Sequence, residues 1–161
     1  VGSDATLIDI LQFIKAQQIE RYRAFVIHGP AMSYKTQFVR KLAQKVAGKY
    51  IDLLSTALNE PWGQTIDEFG AVDFQRWLLQ RTQSEQIVLV DNLDFLFNTW
   101  PDHEKISFLT FIDKLSNTLT PCVHGFVLQD DPSLQAGAIA ANTKGMSRVI
   151  SIQLIQDLQE G

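Results

Sequence analysis

The nine-residue run His28-Gly29-Pro30-Ala31-Met32-Ser33-Tyr34-Lys35-Thr36 has the residue types and spacing to hold phosphate. Gly29, Lys35 and Thr36 stand where a phosphate-binding loop of the form Gly, four residues, Gly-Lys-Ser/Thr needs them, with Tyr34 in place of the second glycine. Each position has a physical reason. Backbone N–H groups of the loop converge on the phosphates, and the helix opening at Lys35 adds its positive N-terminal end. The Lys35 ammonium reaches the terminal phosphates, and the Thr36 hydroxyl is the expected magnesium ligand. The expected nucleotide-binding residues are therefore Gly29, Pro30, Ala31, Met32, Ser33, Tyr34, Lys35 and Thr36. A tyrosine in the sixth loop position either stacks on the nucleotide, packs on the loop, or marks lost activity.

Further along, Ile87-Val88-Leu89-Val90-Asp91 reads as a buried strand with a carboxylate at its exit. Such an Asp holds magnesium through water in nucleotide-binding folds of this kind, so Asp91 joins Thr36 as an expected metal ligand. Alone it would read as a turn residue; beside a phosphate loop the metal reading is favoured. Asn92 follows it, and an amide accepts no proton. Asp94 is the alternative base if the turn brings it near the terminal phosphate; an N-cap for Phe95-Leu96-Phe97 is the equal competing reading.

The elements that must position these residues alternate. Helical spacing covers a first segment with Leu7, Ile8, Leu11 and Ile14 on one face, capped at Ser3 or Asp4. Strands are expected at Ala24–His28, Tyr50–Leu54, Ile87–Val90, Val123–Leu128 and Arg148–Leu154, with helices at Lys35–Val46, Val72–Arg81 and His103–Leu119. The polar segment Asp130–Gly145 reads as loop plus a short helix. This alternation predicts an α/β fold, a three-layer α/β/α sandwich on a mainly parallel five-stranded sheet. Ligands of such sheets sit beyond the carboxyl ends of the strands. One domain over 1–161 is expected, with a helix in 1–22 and the core in about 22–155.

Composition narrows the partners. A net charge of −4 argues against a protein that coats nucleic acid, and the stretch Arg40, Lys41, Lys45 and Lys49 reads as a solvated helix face, with contact to a nucleic acid or a partner as the alternative. Apolar runs are of strand length, no secretory leader pattern is seen, and Cys122 is alone, so a cytoplasmic, reducing setting away from membranes is expected. His28, His103 and His124 share no metal-ligand spacing, and Trp62, Trp77 and Trp100 read as packing anchors.

The order of motifs over about 22–155 resembles the AAA+ and related P-loop NTPases. That resemblance implies ATP and Mg2+ as cofactors and association with further copies or a larger protein. It implies that Asn92 occupies the place of the usual catalytic glutamate. Gln129, directly after the fourth strand, matches the polar residue that contacts the terminal phosphate, or is a solvated strand end. Ser147-Arg148 is similar to the Ser-Arg element of clamp-loader subunits, which makes Arg148 the expected arginine finger, with Lys144 as runner-up and an edge-strand surface arginine as the competing reading. The family's helical lid has no counterpart after the fifth strand, so turnover is expected to be weak or partner-dependent. In size and bare P-loop layout the chain is also similar to the BrxF family of BREX-type phage-defence systems. A non-hydrolysing interaction module is the alternative. A nucleoside-kinase reading ranks last, because Asp130–Gly145 has no arginine and only Lys144 to cover phosphates.

Overall fold

A computed structural model describes residues 7–31, 35–135 and 137–158. The expected caps Ser3 and Asp4 and the loop residues Met32, Ser33 and Tyr34 lie outside the described residues. The elements are α1 (Ile10–Gln17), β1 (Phe25–Gly29), α2 (Lys35–Lys45), β2 (Lys49–Asp52), α3 (Leu53–Ala57), α4 (Ala71–Arg81), β3 (Ile87–Asp91), α5 (Asp94–Phe97), α6 (Asp102–Lys114), β4 (Val123–Gln129) and β5 (Val149–Ser151), with 3-10 turns at Pro61–Gln64, Ile66–Glu68 and Ile152–Leu154.

The five strands form one all-parallel sheet in the order β2-β3-β4-β1-β5. Their near-continuous Val, Ile, Leu and Phe content suits a sheet covered on both faces. Alternate residues feed two cores. Val26, Val88, Val90 and Phe126 meet Phe74 and Leu78 of α4 and Phe108 and Ile112 of α6. Phe25, Ile27, Leu89 and Val127 meet Phe13 of α1 and Val39 and Leu42 of α2 on the other face. The result is a three-layer α/β/α arrangement. Gly125 makes the second core possible: a Cβ there would lie 2.6 Å from the Phe25 ring and 2.8 Å from Leu89.

Neighbouring strands β1 and β4 lead in opposite directions, β1 through α2 to β2 at one side and β4 to β5 at the other. That reversal opens a crevice at their carboxyl ends. The register there sets Gly29 beside Gln129, and Asp130 N donates to the Gly29 carbonyl at 2.8 Å.

Several boundaries differ from the sequence expectation, each for a local reason. Helix α1 starts at Ile10 because Asp9 caps it, accepting from Gln12 N at 3.2 Å; Ile8 instead bridges to Ile155. β2 stops at Asp52, whose side chain caps α3 through Ser55 N. α6 ends at Lys114, where Leu115 turns extended and Ser116 bridges to Tyr22. β5 keeps three residues before a 3-10 turn, and the described part of 130–145 is turn and bend without helix. The tryptophans pack as anchors: Trp100 donates to the Phe69 carbonyl at 2.9 Å, and Trp62 stacks on the Phe69 ring at 4.2 Å. No described helix is long and apolar enough to cross a membrane.

His124 on β4 is fully buried and shares a 2.8 Å hydrogen bond with the Thr82 hydroxyl. Burial pulls its pKa down to about 4, so the ring is neutral in the fold. Above about pH 6.5 it is neutral folded or unfolded, and no proton linkage arises. Between about 6.5 and 4 the unfolded chain binds the extra proton, so stability falls as pH falls. Urea unfolding at pH 6.5 and 5 is expected to show wild type losing about 2 kcal/mol more than His124→Asn over that interval; parallel losses would refute the assignment.

Candidate functional site

The carboxyl end of β1 hands the chain from buried Gly29 into the loop, and α2 begins at Lys35. The Lys35 ammonium donates to the Pro30 carbonyl at 2.6 Å, folding the lysine back over its own loop. Thr36 is half-buried in the first turn of α2, and Ala31 is exposed. The peptide dipoles of α2 give its start a positive character.

Two strands away, Asp91 ends β3 with 2% exposure. Both of its carboxylate oxygens are held. Tyr50 of β2 donates its hydroxyl to Oδ2 at 2.7 Å, and Asn92 N donates to Oδ1 at 2.9 Å. Each oxygen retains acceptor capacity beyond the one bond. Arg40 of α2 lies over the Tyr50 ring at 5.1 Å, and its hydrogen bond to Tyr50 raises the pKa of the guanidinium. Burial, and then the bond to Asp91, pushes the Tyr50 phenol up to about 12, so it is a neutral donor at ordinary pH.

Asn92 adopts φ 58°, a left-handed conformation that asparagine tolerates better than most residues. Its side-chain amide donates to Asp52 Oδ1 at 2.9 Å. Asn92 is thus committed to the end of β2.

Asp94 opens α5, whose N-cap is Leu93, so the expected N-cap role for Asp94 is corrected. Its carboxylate reaches across to β4 and accepts from Gln129 N at 2.7 Å. Burial raises its pKa, with Gln129 N–H and the Lys35 charge pulling the other way and Asp91 adding to the rise. Gln129 is exposed at the end of β4, beside Gly29. Gly29, Lys35, Asp91, Asp94 and Gln129 therefore share one edge of the sheet.

The neighbouring carboxylates Asp130 and Asp131 are partnered. Asp130 pairs with His28 Nδ1 at 2.7 Å, and the two line a cleft of about 450 Å3 with Asp131, Pro132 and Ser151. Burial alone would raise the Asp131 carboxyl, but hydrogen bonds from Ser133 and Lys105 bring it below its ordinary value. In the basic stretch, Arg40 serves Tyr50 and Lys49 approaches Glu85 at 3.9 Å.

Arg148 corrects the sequence reading. It is 1% exposed and lies at the opposite end of the sheet, before β5. Its guanidinium donates to the carbonyls of Ala140, Ala24, Ile112 and Asp113 and to Asp113 Oδ1, at 2.7–3.3 Å, using every N–H it has. A side chain so placed joins β1, α6 and the loop before β5; it cannot reach a neighbouring subunit without dismantling them. It is neither a finger nor a surface arginine. Lys144 is exposed on the same loop.

Sequence reasoning missed Tyr50, Arg40 and Asp52. Tyr50 and Asp52 alternate along β2 and so share a face, the one available signal that they work at the same strand end as Asp91.

No protein-family model matches this chain, and no curated protein matches it. Among solved structures it is similar to one described as Rhizobiales Trip13, at 18% identity and a TM-score of 0.33, over 74% of this chain and 43% of that one. The chain thus spans less than half the length of that neighbour.

Removing one side of a buried charge pair costs about 3–5 kcal/mol. Arg148→Gln is expected to lower the urea-derived unfolding free energy by that order, whereas an interface finger would leave it unchanged.

Proposed function

We propose that this chain is a magnesium-dependent ATP-binding protein of the P-loop kind, a weak or partner-dependent ATPase that acts as a switch within a larger assembly. The observation that supports it is the convergence of Lys35, Asp91 and Asp94, one cation and two carboxylates, on the strand ends beside the start of α2.

The residues fit the chemistry. Asp91 is a fixed hard oxygen donor with acceptor capacity to spare, which suits Mg2+. Thr36 and Asp91 would hold that ion, and Mg2+ when bound neutralises phosphate charge. Lys35 would exchange the Pro30 carbonyl for the terminal phosphates. Among the acidic groups, Asp94 has the raised pKa that suits a proton acceptor, and Gln129 stands beside it to orient water. Arg148 supplies nothing here, so charge stabilisation from a neighbour would come from another residue of a second copy or a larger partner. Placement in a phage-defence assembly rests on the resemblance to the BrxF family alone.

A second reading keeps binding and drops turnover. It is favoured by Asn92, which holds Asp52 and cannot take a proton.

Calorimetry is expected to detect ATP binding that strengthens with Mg2+ and weakens at least about tenfold, ~1.4 kcal/mol, in Lys35→Ala. No nucleotide affinity in the wild type would end the proposal. Steady turnover that Asp94→Asn abolishes would separate the switch from the non-hydrolysing module.

A further inference from the structure

We propose that Tyr50 is a positioning residue for Asp91, fixing the carboxylate in the one orientation that can serve a magnesium-bound nucleotide, and that Arg40 holds Tyr50 in place to do so. The proposal rests on the reading of Asp91 as the magnesium-side carboxylate and adds the device that sets its geometry.

Three observations carry it. First, a carboxylate at a strand end can rotate about its side-chain bonds, and here both oxygens are pinned from different directions. The Asn92 backbone holds Oδ1 at 2.9 Å and the Tyr50 hydroxyl holds Oδ2 at 2.7 Å. Only the second is a side chain that evolution or mutation can remove without altering the backbone. Second, Tyr50 comes from β2 at the edge of the sheet, and its ring is covered by the Arg40 guanidinium of α2 at 5.1 Å. α2 is the helix that begins at Lys35, so one rigid element supports the phosphate side and, through Arg40 and Tyr50, the metal side. Third, the Asn92 side chain fastens the same two strand ends together through Asp52 at 2.9 Å, which keeps β2 and β3 in the register that Tyr50 needs. Hydrogen-bond partners behind a metal ligand commonly change metal affinity or activity about 10–100-fold when removed.

The test uses the intact chain and ATP titrations over a series of Mg2+ concentrations. Tyr50→Phe keeps the ring and its packing and loses only the hydroxyl. The expected result is a Mg2+ midpoint raised about tenfold or more, with ATP affinity in the absence of Mg2+ unchanged. Arg40→Gln is expected to move the midpoint in the same direction by less. In an Asp91→Asn background, Tyr50→Phe is expected to add nothing, because its effect passes through Asp91. A Tyr50→Phe midpoint within twofold of wild type overturns the proposal, as does an equal loss of affinity with and without Mg2+, which would mark a merely structural role. If Asp91→Asn leaves the Mg2+ response intact, the underlying reading of Asp91 fails instead. A wild type that binds no ATP overturns both.

Discussion

Covering a parallel sheet on both faces leaves polar side chains only one place to act, the ends of the strands. In this chain β3 and β4 follow the rule except at His124, whose ring is bonded to Thr82. β3 is buried from Ile87 to Asp91, and β4 from Val123 to Leu128, so Asp91 and Gln129 end their strands as the polar groups at the carboxyl side. Everything proposed about function depends on that enforced crowding at one edge. Lys35, Asp91 and Asp94 come from segments far apart in sequence, yet each follows directly from a strand end or opens the helix after one.

The two edges of the sheet have different tasks. At the carboxyl edge, polar groups keep acceptor capacity or exposure. At the other edge, polar groups are consumed by one another. Arg148 has spent every donor, Gln17 bonds the Arg23 carbonyl and Asn142, and Glu20 accepts from the Thr143 backbone and hydroxyl. That network ties the otherwise irregular loop before β5 to α1 and α6. Buried polar groups are costly unless every one is satisfied, and a satisfied set like this one fixes a loop firmly.

The fold was legible because strand-length apolar runs alternate with helical periodicity. Ile87–Val90 and Val123–Leu128 read as strands from their length and the turn signals that bound them. The places of Gly29, Lys35, Asp91 and Gln129 in the fold were legible for the same reason: each is defined by where a strand stops or the next helix starts. What sequence could not supply was any relation across strands. Arg148 carried a plausible two-residue motif, but its role depends on carbonyls from Ala24, Ile112 and Ala140, which no local pattern reveals. Tyr50 reaches Asp91 only because β2 pairs with β3 in a register that sets Asp52 beside Asp91. Sequence left Asp94 between a base and a cap because a cap is a local event, whereas its partner Gln129 lies 35 residues away.

The central claim is that the carboxyl ends of β1, β4 and β3 form a nucleotide site. Hydrogen exchange of the wild-type chain with and without ATP and Mg2+ tests it most directly. The account predicts slowed exchange at the amides of 29–36 and 91–94, with the segment around Arg148 unchanged. Unchanged exchange at both strand ends under saturating ATP and Mg2+, or protection confined to other segments, would contradict it.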